Sequence, residues 1–257
     1  MHSPLAKIGA AALGLFLPVL SLQADDLVFR NASPASTLVE LYSSEGCSSC
    51  PPAEAWIGNL KKAPGLWKDL YPVVFHVDYW DDLGWPDRFA KPAYTQRQYD
   101  LASRLGQDSV YTPEFVVDGR EWKQGWFRGQ RLPAGPATAG ELALTVGNGG
   151  RTASARYTVG NGIGGGPLVL NVALLGFNRI TDVKRGENGG RKLDHDFVVL
   201  GFNTVPLVAD AGASTFQSAP VALQSTTGDA PGAVVAWVEG KDGAVLQMAG
   251  GWLGGVP

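Results

Sequence analysis

The sequence predicts an α/β domain followed by a smaller all-β, sandwich-like domain, and three observations carry that expectation. The apolar run 37–42, the amphipathic stretch 51–62 and the apolar run 71–79 read in turn as strand, helix and strand. The chain's two cysteines stand as Cys47-Ser48-Ser49-Cys50 at the start of that helix. From about Glu141 the pattern changes to short apolar runs separated by glycine-rich turns, as in packed β-strands.

Taken in order, residues 1–24 read as an export signal. Lys7 supplies the positive charge, 8–22 an apolar stretch broken by Pro18, and Ala24 a small residue before Asp25-Asp26. That stretch is too short for a good membrane anchor, and no other segment is apolar for long enough to span a bilayer. The expectation is an exported chain, periplasmic or secreted, with no membrane span once the signal is removed. Residues 25–36 form a polar lead-in. The α/β domain is then expected over 37–132, a linker over 133–140 and the β-rich domain over 141–257. With 257 residues, 45% hydrophobic and 18% charged, the chain can bury a sizeable core. Its net charge of −3 and lack of a basic cluster argue against nucleic acid as a partner.

Pro51-Pro52 fit only at a helix start, Ala53, Trp56, Ile57 and Leu60 share one face, and Ala63-Pro64-Gly65 stops the helix. The run 71–79 resembles a buried parallel strand, closing a βαβ unit whose strands end on the same edge as the cysteines. A second helix is expected over 92–105 between Pro92 and Gly106. Phe115-Val116-Val117 reads as a strand, Asp118-Gly119 as its hairpin turn, and Pro113 as a candidate cis-proline before it. In the second half, strands are expected over 142–146, 153–159, 168–177, 197–202, 220–223, 234–238 and 245–248.

The chemistry points to the cysteines. A helix N-terminus lowers a thiol's pKa from about 8.5 into the range of roughly 3.5–7.5, and the thiolate attacks disulfides. Cys47 is the expected attacker and Cys50 the resolving thiol. A domain of this size needs no such short bridge for stability. Structural zinc needs four ligands, and no second C-x-x-C or histidine pair is present, so no metal is expected. His76 and Asp78 alternate on one strand, either as a proton shuttle near Cys47 or as locally hydrogen-bonded strand residues. Glu45 reads as a solvated loop residue. Asp194-His195-Asp196 and the turn 186–191 read as solvated turns, with a loop folding over the cysteines as the other reading. Trp80, Trp85, Trp122 and Trp126 read as core and groove walls.

The order of strand, C-x-x-C at a helix start, Thr112-Pro113, Phe115-Val116-Val117 and Asp118-Gly119 hairpin resembles the thioredoxin fold. The resemblance makes the first domain thioredoxin-like. It implies that Pro113 is a cis-proline facing the cysteines, with Tyr111 and Thr112 beside it in a substrate-binding segment, and that Glu40 is a supporting buried acid. Glu45-Gly46-Cys47-Ser48-Ser49-Cys50-Pro51-Pro52, Phe75-His76-Val77-Asp78-Tyr79-Trp80, Val110-Tyr111-Thr112-Pro113 and Gly186-Glu187-Asn188-Gly189-Gly190-Arg191 are together similar to the exported bacterial family catalogued as domain of unknown function 1223. Members of that family are regarded as thioredoxin-like, with no established substrate. One departure is that Gly129, Pro133, Gly135 and Pro136 break the segment where a thioredoxin's closing helix would lie, leaving one sheet face to another cover.

The expected function is an exported thiol–disulfide oxidoreductase with a redox-active Cys47–Cys50 disulfide and no other cofactor. Its expected partner is a thiol- or disulfide-containing protein or a small thiol. Two alternatives stand beside it. One is a copper-binding or copper-delivery protein holding Cu(I) on the two thiolates with His76 or His195. The other is a non-catalytic binding module whose disulfide stays locked.

Overall fold

The computed structural model describes residues 26–34, 36–123, 126–129, 131–133, 135, 140–160, 166–210 and 214–255. The expected export signal and most of the expected linker lie outside these residues. The first half contains β1 (Leu27–Asn31), β2 (Thr37–Ser43), α1 (Pro51–Gly58), β3 (Leu70–His76), α2 (Pro92–Leu105), β4 (Glu114–Val117) and β5 (Arg120–Glu121). Then follow β6 (Glu141–Gly147), β7 (Thr152–Thr158), β8 (Leu168–Gly176), β9 (Arg179–Asp182), β10 (Lys192–His195) and β11 (Val198–Ala209). The last elements are β12 (Thr215–Ser218), β13 (Val221–Ala222), β14 (Ala233–Glu239) and β15 (Val245–Trp252).

Local chemistry explains the helices. Pro51 and Pro52 occupy the first turn of α1, where no intrahelical acceptor is needed, and a 3-10 turn at Asn59–Lys62 ends it. Pro92 opens α2, and Gly106 closes it in the left-handed conformation. The Asp118-Gly119 turn carries positive φ at both residues and joins β4 to β5. Leu27–Asn31, expected as part of an irregular lead-in, is instead a strand pairing antiparallel with β6.

The expected α/β thioredoxin-like domain followed by a separate β domain is corrected by the sheet. The fold is mostly β. Thirteen strands form one mixed sheet, β9 and β10 form a small second sheet, and the described residues contain two short α-helices. β2 and β3 pair in parallel, and β4 lies antiparallel to β2. The strand that unites the halves is β11. It meets β3 in parallel at Val198↔Val74, pairs antiparallel with β8, and pairs with β12 at its far end. It bulges between Val199 and Gly201, where a side chain is impossible: a Cβ on Gly201 would lie 2.1 Å from the Gln224 carbonyl oxygen.

Burial on two faces gives the physical reason. On β8, Ala173 and Leu175 join the core shared with β2, β3 and β4, whereas Val172 and Leu174 join the core formed with β6 and β7. On β14, Ala233, Val235 and Trp237 face the first core, and Val234, Ala236 and Val238 the second. The run of β-strands thus serves as an internal wall between the two cores. Trp237 stacks on Phe202 at 5.7 Å between ring centroids, and Phe202 meets Phe75 edge-on at 5.2 Å. The Arg97 guanidinium of α2 lies 5.2–5.5 Å from these three rings and pairs with Glu40 at 2.9 Å and Glu239 at 2.7 Å. The fully buried Phe75 ring contributes roughly 1.5–3 kcal/mol.

Candidate functional site

Cys47 and Cys50 are joined in a disulfide at the mouth of α1. Cys50 is the residue capping the helix, and its carbonyl accepts the N–H groups of Ala53 at 2.9 Å and Glu54 at 3.1 Å. Ser49 Oγ lies 3.3 Å from Cys47 Sγ. The Thr112-Pro113 peptide bond is cis. The Trp80 indole donates to Thr112 Oγ1 at 2.8 Å and also packs on the cysteine loop, where a Cβ on Gly46 would come within 2.9 Å of Trp80 Cβ. Ser49 and Pro113 line a common groove of about 470 Å³, walled by Tyr111, Phe115, Trp122 and Phe127. Phe127 is 60% exposed there.

The segment 186–191 folds over the disulfide. Asn188 is fully buried and donates to the carbonyls of Glu45 and Cys47, both at 2.9 Å. Arg191 donates to Asn188 Oδ1 at 2.6 Å, and Glu187 accepts the Ser48 N–H at 3.0 Å. Cys47 and Cys50 are both 0% exposed, while Ser48 and Ser49 face solvent. In this oxidised form the sulfur expected to be the exposed attacker is enclosed.

Beneath the disulfide lies a buried chain of ionisable groups that reaches across the two halves. In the parallel register Ser43 stands opposite His76, and both turn toward α1, where the Ser43 hydroxyl donates to Glu54 Oε1. His76 Nδ1 is 2.6 Å from Asp87 Oδ2, and its Nε2 is 3.6 Å from Glu54 Oε1. From β10, which packs against α1, His195 bonds through Nδ1 to Glu54 Oε2 and places Nε2 3.2 Å from Glu45 Oε1. Trp85 Nε1 donates to the other Glu45 oxygen at 2.7 Å, and the Glu45 N–H donates to Asp87 at 2.7 Å. Burial alone would lower the His195 imidazole, but the carboxylates of Glu54 and Glu45 raise it to about 10. The same balance raises His76, through Asp87 and Glu54. Burial would raise the Glu54 and Asp87 carboxyls, yet the neighbouring imidazoles hold both below the usual carboxylate range.

This arrangement settles where the other candidate residues stand. His76 and Asp78 do not act on one side of a strand, because β3 ends at His76. Asp78 instead bonds to Thr95 of α2 through its backbone N–H and its carboxylate. Glu40 faces α2, where burial raises its carboxyl against the opposing pull of Arg97. Tyr111 is 41% exposed and donates to Glu121 at 2.6 Å. Glu45 and His195, expected in solvated loops, are buried at 0% and 1%. Glu54 and Asp87 join the site without having been singled out for it, whereas Asn188 belongs to the turn 186–191 whose other reading was a loop folding over the cysteines. A usable signal was that only two histidines lie beyond the expected export signal, one in each half, and they meet 5.1 Å apart by ring centroids.

The protein family described as "Protein of unknown function (DUF1223)" matches residues 38–239. The chain belongs to that family. A crystal structure of protein AGR_C_4864 from Agrobacterium tumefaciens is similar, with a TM-score of 0.60 and 23% identity over 87% of this chain and 97% of that one. HBP35 of Porphyromonas gingivalis is similar with a TM-score of 0.58 and 16% identity, over 86% of this chain and 76% of that one. At these identities the likeness is one of fold. No curated protein matches this member of the family in sequence.

Proposed function

We propose that this protein is an exported thiol–disulfide oxidoreductase that exchanges its Cys47–Cys50 disulfide with a thiol- or disulfide-bearing protein or a small thiol. The observation that carries the reading is the groove lined by both Ser49, between the two cysteines, and Pro113, with the exposed rings of Tyr111 and Phe127 on its walls. Such a groove suits an extended polypeptide laid beside a C-x-x-C, with Tyr111, Thr112 and Pro113 as its binding segment. The leader-like residues 1–24 and the use of a disulfide support a periplasmic or secreted location.

In the reductive direction, Cys47 as thiolate attacks one sulfur of a partner disulfide, and the partner's other sulfur leaves as a thiolate. Cys50, deprotonated in turn, attacks Cys47 Sγ, closes the intramolecular disulfide and expels the second partner sulfur. Two electrons and two protons pass to the partner; the reverse sequence oxidises it. Because both sulfurs are enclosed, either direction requires the segment 186–191 to move aside. The test is reduction of an insulin disulfide, with dithiothreitol as the electron donor that returns the oxidised chain to its dithiol, by the native chain, by Cys47→Ser and by Cys50→Ser. Loss of turnover in both variants, with a trapped mixed disulfide in Cys50→Ser, is expected. Equal turnover by Cys47→Ser and the native chain overturns the reading.

A further inference from the structure

The buried chain of carboxylates and imidazoles has a geometry that disulfide exchange does not use. Glu54 on α1, His76 at the end of β3 and His195 at the end of β10 converge so that one potential ligand atom from each lies within 4.8 Å of the others. Glu54 stands between the rings, with His76 Nε2 on one side and His195 Nδ1 on the other. Each ring's second nitrogen faces a further carboxylate: His76 Nδ1 meets Asp87 at 2.6 Å, and His195 Nε2 meets Glu45 at 3.2 Å. A carboxylate behind each imidazole is how proteins fix the tautomer and orientation of a metal-binding histidine.

Three further observations point the same way. His76 Nε2, which faces Glu54, is buried and without a hydrogen-bond partner among the described residues. The 3.6 Å between His76 Nε2 and Glu54 Oε1 is too long for a hydrogen bond. It matches the separation of about 3.4 Å between neighbouring donors of a tetrahedral ion held by bonds of 2.0–2.2 Å. The three carboxylates Glu45, Glu54 and Asp87 form salt bridges only to these two imidazoles among the described residues. Of the three residues, Glu54 borders a cleft of about 450 Å³ between α1 and residues 191–196, whose rim carries Asp194 and Asp196 together with Lys61, Lys62, Arg191 and Lys192.

We propose that Glu54, His76 and His195 form a divalent-cation site of the zinc class, with Asp87 and Glu45 as the positioning carboxylates behind the two rings. The site is made of nitrogen and oxygen donors, takes no sulfur, and works with the disulfide closed. Two imidazoles and one carboxylate leave a fourth position open, which distinguishes it from a closed structural site. It stands or falls independently of disulfide exchange, because its test uses the oxidised chain.

The experiment is titration of the metal-stripped, oxidised full chain with Zn²⁺ by calorimetry and with Co²⁺ by visible absorption. One ion per chain is expected, with cobalt bands of a four-coordinate nitrogen–oxygen site and no sulfur charge-transfer band. His76→Gln and His195→Gln should abolish this uptake, and Asp87→Asn should weaken it about 10–100-fold. Circular dichroism checks that each variant folds, and the native chain alone suffices to decide against the site. No uptake by the native chain overturns the proposal, as does uptake unchanged in both histidine variants or carried by sulfur.

Discussion

Replacing Asn188 by alanine should unlock the disulfide. In the closed form Asn188 Nδ2 donates to both the Glu45 and the Cys47 carbonyls at 2.9 Å, in a position sealed from water. Alanine removes both bonds. Each buried hydrogen bond is worth about 1 kcal/mol net, and stranding its acceptor costs about 1–3 kcal/mol. The closed segment therefore loses at least about 2 kcal/mol relative to an open one in which water serves the carbonyls. That shifts the population of the open form about 30-fold. If reduction proceeds through brief opening, its rate rises by the same factor. The assay is the rate at which a water-soluble phosphine reduces the Cys47–Cys50 bond, followed by quenched alkylation and mass analysis. A rate within about twofold of the native chain's, in a variant whose melting temperature has fallen, would show that opening of the segment 186–191 does not control access.

Arg191→Ala should move the same rate in the same direction but less, because Arg191 holds the Asn188 amide by one bond at 2.6 Å. Arg97→Met breaks the buried Glu40–Arg97–Glu239 cluster and strands two carboxylates, so unfolding in denaturant should show a loss of about 3–5 kcal/mol. Glu114 is raised to about 7, chiefly by burial, so the folded chain holds this proton to higher pH than the unfolded chain does. Stability contributed here is full below about pH 4.5, falls as pH rises to about 7, and stays lowered above it. Glu114→Gln should accordingly add up to about 3 kcal/mol at pH 8 and almost nothing at pH 4, measured by denaturant titration at both. Gly201→Ala should destabilise at the bulge of β11, since its Cβ would meet the Gln224 carbonyl at 2.1 Å, and a melting temperature equal to the native one would refute that contact.

Elements with local signals were legible in the sequence. The two prolines in the first turn of α1, the Pro92 and Gly106 that start and stop α2, and the Asp118-Gly119 turn each act within a few residues of themselves. The fold class was not, because 168–177 and 233–239 are apolar on both faces for a reason that lies outside them. A strand buried between two cores and a strand in a separate sandwich have the same composition, and only the partners on each side distinguish them. The short strands β9, β10 and β12 carry four residues each, too few for alternation to stand out. The ionisable cluster was hidden for a related reason. Glu54 and His195 are 141 residues apart, and a lone glutamate in the first turn of a helix, or a histidine between two aspartates, reads as a surface residue until its far partner is known. The cysteine pair was legible because its spacing is itself the signal.

The shared wall of β8, β11 and β14 sets a rule for dissecting this molecule. No cut between its N-terminal and C-terminal portions yields a fragment with a finished interior. A piece ending before Leu168 would leave Phe75 and Arg97 facing water in place of Phe202 and Trp237, while a piece beginning at Glu141 would carry Phe202 and Trp237 without Phe75 and Arg97 to pack against. Expression of either portion by itself should give aggregation-prone material, so the redox and metal questions have to be asked of the whole chain.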